Sequence, residues 1–250
     1  MTALAPIARV EIRDEMLGII REPAAILFSI VMPVAFFALF VGLFGTEQAA
    51  DQAVPTGTLM LATFGTYGVL GAGMLSPGIS LAESREAGWL RVQRVSPVPL
   101  PLILGAKVVA AFPYCVGILG AMTLTAGVMG VLEIGILEWL ALVALMVVSV
   151  IPFALIGMAV GAQASGNATT AILNAIIMPM AIASGLWFPL EMMPEWVAQI
   201  APVWPTYHLS QLALGVIDAG PLRLGNAVAL LGFATVAALV AAVSYRRARI

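Results

Sequence analysis

Residues 83–101 read ESREAGWLRVQRVSPVPLP, and they gather Glu83, Arg85, Glu86, Arg91 and Arg94 into one short segment of a chain that is otherwise mostly apolar. An arginine held at the centre of a bilayer costs about 2.5–3.5 kcal/mol on the insertion scale. The segment therefore belongs in water, between two membrane crossings. Its spacing permits a short helix over 83–96. Pro97, Pro99 and Pro101 then end it, because each removes a backbone donor and disfavours helix in the residue before it. A short charged helix gives a soluble partner something to push. Read by itself, the segment equally fits a solvated loop that only fixes topology.

Composition agrees with membrane crossings on either side. Of 250 residues, 62% are hydrophobic and only 10% are charged. A soluble domain carries about 25% charged residues, so this chain has too few to cover a surface facing water. Cys115 is the single cysteine, which excludes an internal disulfide or a cysteine-based metal site. Near the N-terminus the charges are mixed, and the apolar run that follows is too long for the core of a cleavable signal.

Apolar runs at 23–44, 58–82, 102–129, 137–163, 171–188 and 222–245 are each close to the roughly 20 residues one crossing needs. The expected fold is an all-α integral membrane protein with six transmembrane helices in a single domain, 1–250. Before the first crossing, Leu4, Ala8, Ile12, Met16 and Ile19 fall near helical spacing, with Arg9, Arg13 and Asp14 elsewhere on the wheel. This predicts an N-terminal amphipathic interface helix over 1–22, flawed by Glu11 and Glu15 on its flanks. Alternatively, it is a polar tail. Gly68, Ala72 and Ser76 in the second run, and Gly157 and Gly161 in the fourth, are candidate close-packing faces. Pro33, Pro77, Pro113, Pro152 and Pro179 put one proline in each of the first five runs.

Six crossings put Arg9, Arg13, Arg21, Arg85, Arg91, Arg94, Lys107, Arg246, Arg247 and Arg249 on one side. That side is cytoplasmic by the positive-inside rule, with both termini there. Only Arg223 falls opposite, among Glu47, Asp51, Glu133, Glu138, Glu191, Glu195 and Asp218.

The chain shows no engine. Its sole lysine sits in Gly105-Ala106-Lys107-Val108, without the hydroxyl residue of a phosphate-binding loop. The middles of the crossings hold no Asp, Glu, Arg or His, which argues against an ion-coupled carrier. Ser184-Gly185 lacks the preceding glycine of a serine-hydrolase turn, and His208 lies outside the crossings. No catalytic residue, metal ligand or nucleic-acid partner is expected, and work must enter from another subunit.

Two stretches are similar to the membrane subunit of an ABC-2 type ABC transporter. One runs from Glu83-Ser-Arg-Glu-Ala-Gly-Trp-Leu-Arg to Ser96-Pro97-Val98-Pro99. The other comprises Asn174 to Pro179, Ser184-Gly185, Phe188-Pro189, Met193-Pro194-Glu195-Trp196, Pro202 and Pro205-Thr206-Tyr207. Leu214-Gly215 stands where the family often has an arginine.

The resemblance implies a dimer of two such permeases, identical or homologous, in a bacterial cytoplasmic membrane. Two ATP-binding subunits, which bind ATP and magnesium, would dock beneath it, and this chain would need no cofactor. Glu83, Arg85, Glu86, Gly88, Trp89, Leu90, Arg91 and Arg94 would form the coupling helix that meets the ATPase. Residues 189–221 would hold short re-entrant helices on the outer side, anchored in membrane lipid by Trp187, Phe188, Trp196, Trp204, Tyr207 and His208. Asn174, Phe188, Met192, Trp196 and Tyr207 would line the substrate path or outer gate. The implied function is export of a hydrophobic or amphipathic cargo, drug-like, antibiotic-like or lipid, as in multidrug efflux. A lipid-linked glycan exporter or a non-transporting membrane anchor for other subunits shares the same architecture.

Overall fold

The computed structural model describes residues 4–20, 23–46, 54–89, 98–218 and 223–248. Among them every regular element is helical. In chain order these are α1 (Leu4–Ile20), α2 (Pro23–Phe44), α3 (Thr56–Glu86), α4 (Leu100–Ala110), α5 (Phe112–Val128), α6 (Ile136–Gly161) and α7 (Gly166–Ala183). After a 3-10 turn at Leu190–Met192 come α8 (Glu195–Ile200), a second such turn at Ala201–Val203, α9 (Pro205–Ile217) and α10 (Leu224–Arg247). Among the described residues, five stretches are long and apolar enough to cross a membrane: α3, α4 with α5, α6, α7 and α10. Helix α2 spans 22 residues, and its described side chains, from Ile30 to Phe44, form a shorter apolar stretch.

Helix α3 is the hub. It packs against α2, α5, α6, α7 and α9, and its side chains from Leu61 and Phe64 to Met74 and Leu81 are fully or almost fully buried. Its closest neighbour is α6, and glycine makes that approach possible. A Cβ on Gly78 would lie 2.7 Å from the Gly157 carbonyl oxygen, and one on Gly73 would lie 3.2 Å from the Phe153 Cβ. A methyl group on Gly157 or Gly161 would overlap the carbonyl oxygens of Met74 and Gly78. The Gly157/Gly161 pair is thus a true contact face. The Gly68/Ala72/Ser76 stripe is only partly one: Gly68 receives Ile118 of α5, whereas Gly73 and Gly78 meet α6.

Three boundaries differ from the sequence pattern, each for a local reason. The pattern ends the second crossing near residue 82 and starts a separate helix at 83. In the structure α3 continues to Glu86, since nothing after Pro77 interrupts its hydrogen bonds before Gly88, which turns the chain at φ +72. Trp89 reopens helical structure, and residues 90–97, including Leu90, Arg91 and Arg94, lie outside the described residues. The third crossing is broken at Ala111, because Pro113 has no N–H to continue the ladder across the junction. The fifth starts earlier, at Gly166, where the Ser165 side chain caps the helix by accepting from the Ala168 N–H at 3.3 Å. It also ends earlier, at Ala183. There Gly185 takes φ +70, and the Leu186 N–H returns to the Ala181 carbonyl at 3.1 Å. Ser184-Gly185 is therefore a helix stop.

The α3–α6 contact makes a direct prediction. Gly161→Leu forces the two backbones apart and should cost about 1–3 kcal/mol. Gly71→Ala, with nothing within 4 Å of its Cβ position, should raise stability by about 0.5–1 kcal/mol through the lower backbone entropy of alanine. Melting temperatures of the detergent-solubilised chain test both.

Candidate functional site at the charged end of the bundle

The charged end of α3 is tied into the bundle by side chains. The Arg85 guanidinium donates to the Ala162 carbonyl at 3.2 Å and to the Ala164 carbonyl at 2.8 Å. The Glu86 carboxylate accepts from the Gly166 N–H at 2.9 Å. This puts a negative charge at the first turn of α7, where the helix dipole favours it. Arg85 and Glu86 thus join the end of α3 to the link that opens α7. Nearby, the Gln163 amide donates to the Ser244 carbonyl at 2.6 Å, and the Ser244 hydroxyl donates to the Ala159 carbonyl at 2.6 Å, which ties α6 to α10.

One residue that charge counting puts among the solvated cations is enclosed. Lys107 of α4 is 2% exposed. Its ammonium donates to Glu15 of α1 at 2.5 Å, to the Ser80 hydroxyl at 2.7 Å and to the Ser84 hydroxyl at 3.1 Å. All three of its donors are spent. Ser80 in turn donates to the other Glu15 oxygen at 2.8 Å. The carboxylate that spoils the amphipathic pattern of α1 is therefore the counter-ion of the only lysine in the chain. A lone lysine in an apolar run, with Ser80 and Ser84 one turn apart on α3, was the available signal. Glu11 stands one turn before Glu15. Burial pushes its carboxyl above the ordinary value, Glu15 adds to this, Lys107 opposes it and Asp14 adds to it.

Of the coupling candidates, Glu83 is exposed and also makes an interaction, Gly88 forms the turn, and Trp89 is 52% exposed at the tip.

The outer-gate candidates separate into groups. Phe188 meets Phe40 of α2 edge-on, with ring centroids 5.3 Å apart, in an aromatic cluster. Trp187 stacks on Phe36 at 5.7 Å and meets Tyr67 of α3 at 5.2 Å. Asn174 lies on an exposed face of α7 with Asn167, Ala171 and Met178. Its amide donates back to the Thr170 carbonyl at 2.9 Å. Met192 and Trp196 are exposed, and Tyr207 lies edge-on to His208 at 5.5 Å. Among the described residues no hydrogen bond or ring contact joins Asn174, Met192, Trp196 or Tyr207 to Phe188. Phe36, Phe40 and Tyr67 escape sequence reading because their runs are uniformly apolar. His208 bridges the Pro202 carbonyl at 2.8 Å and Asn226 of α10 at 2.9 Å. Arg223 bonds Gln211 and comes within 3.9 Å of the Cβ position of Gly215.

A bundle of long apolar helices, laced by polar side chains at its ends, defines a multi-pass membrane protein. The chain belongs to the ABC-2 type transporter family, whose model matches residues 9–217. It is also similar to a Bacillus subtilis (strain 168) protein named "Putative transport permease YvfS", with 24% identity over 219 residues, covering 88% of this chain and 89% of the other. Family and fold together make it a permease subunit.

Two predictions follow from the Lys107 site. Lys107→Met removes the counter-charge of Glu15, and because that carboxylate is 22% exposed the loss should fall below the roughly 3–5 kcal/mol of a fully enclosed pair. Glu15→Met with Lys107→Met should recover most of that loss, as read by melting and by protease access to α1. The second concerns pH. The folded state holds the Glu11 proton more firmly than the unfolded chain does. The stability this confers is therefore fullest below the ordinary value of 4.5 and is lost as pH rises through the higher folded value. A melting-temperature series across that window should show the decline in wild type and lose that component in Glu11→Gln.

Proposed function

We propose that this chain is the membrane half of an ATP-driven exporter, with α2 as a sixth crossing and both termini in the cytoplasm of a bacterial cell. Helix α1 lies along the inner membrane surface. Two copies, or this chain and a homologous permease, pair about a central path, and two ATP-binding subunits dock at Gly88, Trp89 and the residues up to Arg94. The ATP and magnesium belong to those subunits. The observation that carries the reading is the end of α3. Arg85 and Glu86 fasten it to the start of α7, while Trp89 just beyond stands exposed. A push on that tip is thereby passed to the second and fifth crossings together.

The exposed Asn167/Asn174 face of α7 fits a surface turned toward the second copy, since an amide facing lipid is unfavourable. Helices α8 and α9 form the re-entrant outer segment, with α9 packed against α3, α6 and α10. An amphipathic cargo suits the outer end. Phe36, Phe40, Tyr67, Trp187 and Phe188 offer apolar rings, and the Trp187 indole N–H is buried without an acceptor among the described residues.

The test is reconstitution with a co-expressed ATP-binding cassette subunit and a fluorescent amphiphile. Wild type should move the amphiphile only with ATP. Trp89→Ala should weaken capture of the ATPase by about 2 kcal/mol, the scale of an interface hot spot, and Arg91→Glu should abolish it. Full capture and transport by both variants would refute the docking site. Uphill movement by the permease alone would refute the ATP-driven reading.

A further inference from the structure

We infer that Arg9 and Arg13 hold the headgroup of one anionic phospholipid, whose acyl chain lies along Ala8, Ile12 and Met16. The inference rests on the placement of α1 along the inner membrane surface.

Helix α1 is two-sided in charge. Glu15 faces the bundle and is taken by Lys107, and Glu11 lies one turn before it on the same side. Arg9 and Arg13, also one turn apart, project from the opposite side, as positions on a helix two to six residues from the glutamates allow. Both arginines are exposed. Neither makes an ion pair or hydrogen bond among the described residues. Asp14 follows Arg13 in the chain but points about 100° further round the helix.

Beside the two arginines lies a shallow depression of about 610 Å³, wide open to its surroundings and lined among the described residues by Ala8, Arg9, Ile12, Arg13, Met16 and Leu17 of α1. The depression has two arginines on one flank and an apolar floor. A phosphodiester matches the first, because a guanidinium pairs its planar N–H groups with phosphate oxygens. An acyl chain matches the second. Free phosphate would leave the floor wet, and a zwitterionic lipid would carry its own cation to the arginines. The ligand that uses both parts is an anionic phospholipid. With Lys107 gripping the acidic side and the lipid gripping the basic side, α1 is held from both faces.

The experiment titrates the full chain in detergent with phosphatidylglycerol, phosphatidylcholine or inorganic phosphate, and counts bound molecules by native mass spectrometry. Wild type should retain phosphatidylglycerol over phosphatidylcholine by on the order of tenfold, from two basic residues near an anionic group. Arg9→Gln with Arg13→Gln should abolish the preference. Lysine at both positions should keep part of it, which separates lost charge from lost fold. Arg246→Gln with Arg247→Gln should keep all of it. The proposal is overturned if the glutamine pair retains the preference, if inorganic phosphate binds as well as the lipid, or if the pair loses only ATPase capture, which would assign the depression to the protein partner.

A bimane label on Val10→Cys in vesicles, read by quenching from lipid-borne nitroxides, tells the two levels apart. Absence of quenching would mean that α1 is off the membrane and that its placement is wrong. Quenching without lipid preference would sink the headgroup site alone.

Discussion

An ammonium group enclosed by protein must have a counter-charge, and Glu15 supplies it to Lys107. Lys107 and Glu15 come from helices far apart in sequence, and Ser80 and Ser84 complete the shell from a third. A buried pair of this kind gains little net stability over an apolar substitute, since desolvation offsets most of the attraction. What it confers is registry. Helix α1 cannot slide along α4 or leave it without exposing an unpaired charge, and α3 cannot rotate without withdrawing two hydroxyls. The position of α1 against the bundle is fixed by this requirement more than by its apolar stripe.

The same principle organises the rest of the molecule. Among the described residues, side-chain hydrogen bonds between different helices gather at the two ends. At one end stand the Lys107 group, Arg85 and Glu86 on the 162–166 link, and Gln163 with Ser244. At the other, the Thr58 hydroxyl donates to the Val131 carbonyl at 2.6 Å and accepts from the Glu133 N–H at 2.9 Å, Ser184 pairs with Thr206, and His208 bridges to Asn226. Between the ends, α3 and α6 touch through glycine and apolar side chains. Such contacts attract only by dispersion, which falls away steeply as a gap opens. A bundle clamped at its ends and smooth in its middle tilts as a body more readily than it unwinds.

How far the sequence revealed this depended on the kind of signal. Membrane crossings announce themselves, because roughly 20 apolar residues have few other uses. The helix-stopping roles of Gly88 and Gly185 were not legible, since the pattern carries Gly88 inside an expected helix over 83–96 and Gly185 inside the expected crossing over 171–188. Their φ values, and the continuation of α3 to Glu86, depend on backbone bonds that composition does not encode. Charge counting grouped Lys107 with the solvated arginines because it lies near them in the chain. It could not see that α1 folds back and brings a carboxylate to it. The aromatic group of Phe36, Phe40, Tyr67 and Trp187 was hidden for the opposite reason: every helix there is apolar, so nothing marks which rings meet. Pattern reading recovers what one segment dictates and misses what two segments must agree on.

That limit bears on how the protein works. Among the described residues, no carboxylate or imidazole lies between the polar ends of the bundle. A conformational equilibrium shifts only as far as some ligand binds one state better than the other. Among the described residues, the groups on which the proposed coupling would act lie at the ends: the exposed Trp89 beyond a fastened α3, the two-sided α1, and the cluster of Phe36, Phe40, Tyr67, Trp187 and Phe188. Because Arg85 and Glu86 join the end of α3 to the start of α7, a displacement at the tip is not absorbed in a loose loop. Under the proposed docking it would reach α3 and α7 at once, and the glycine contacts would let α3 and α6 follow without breaking a polar bond.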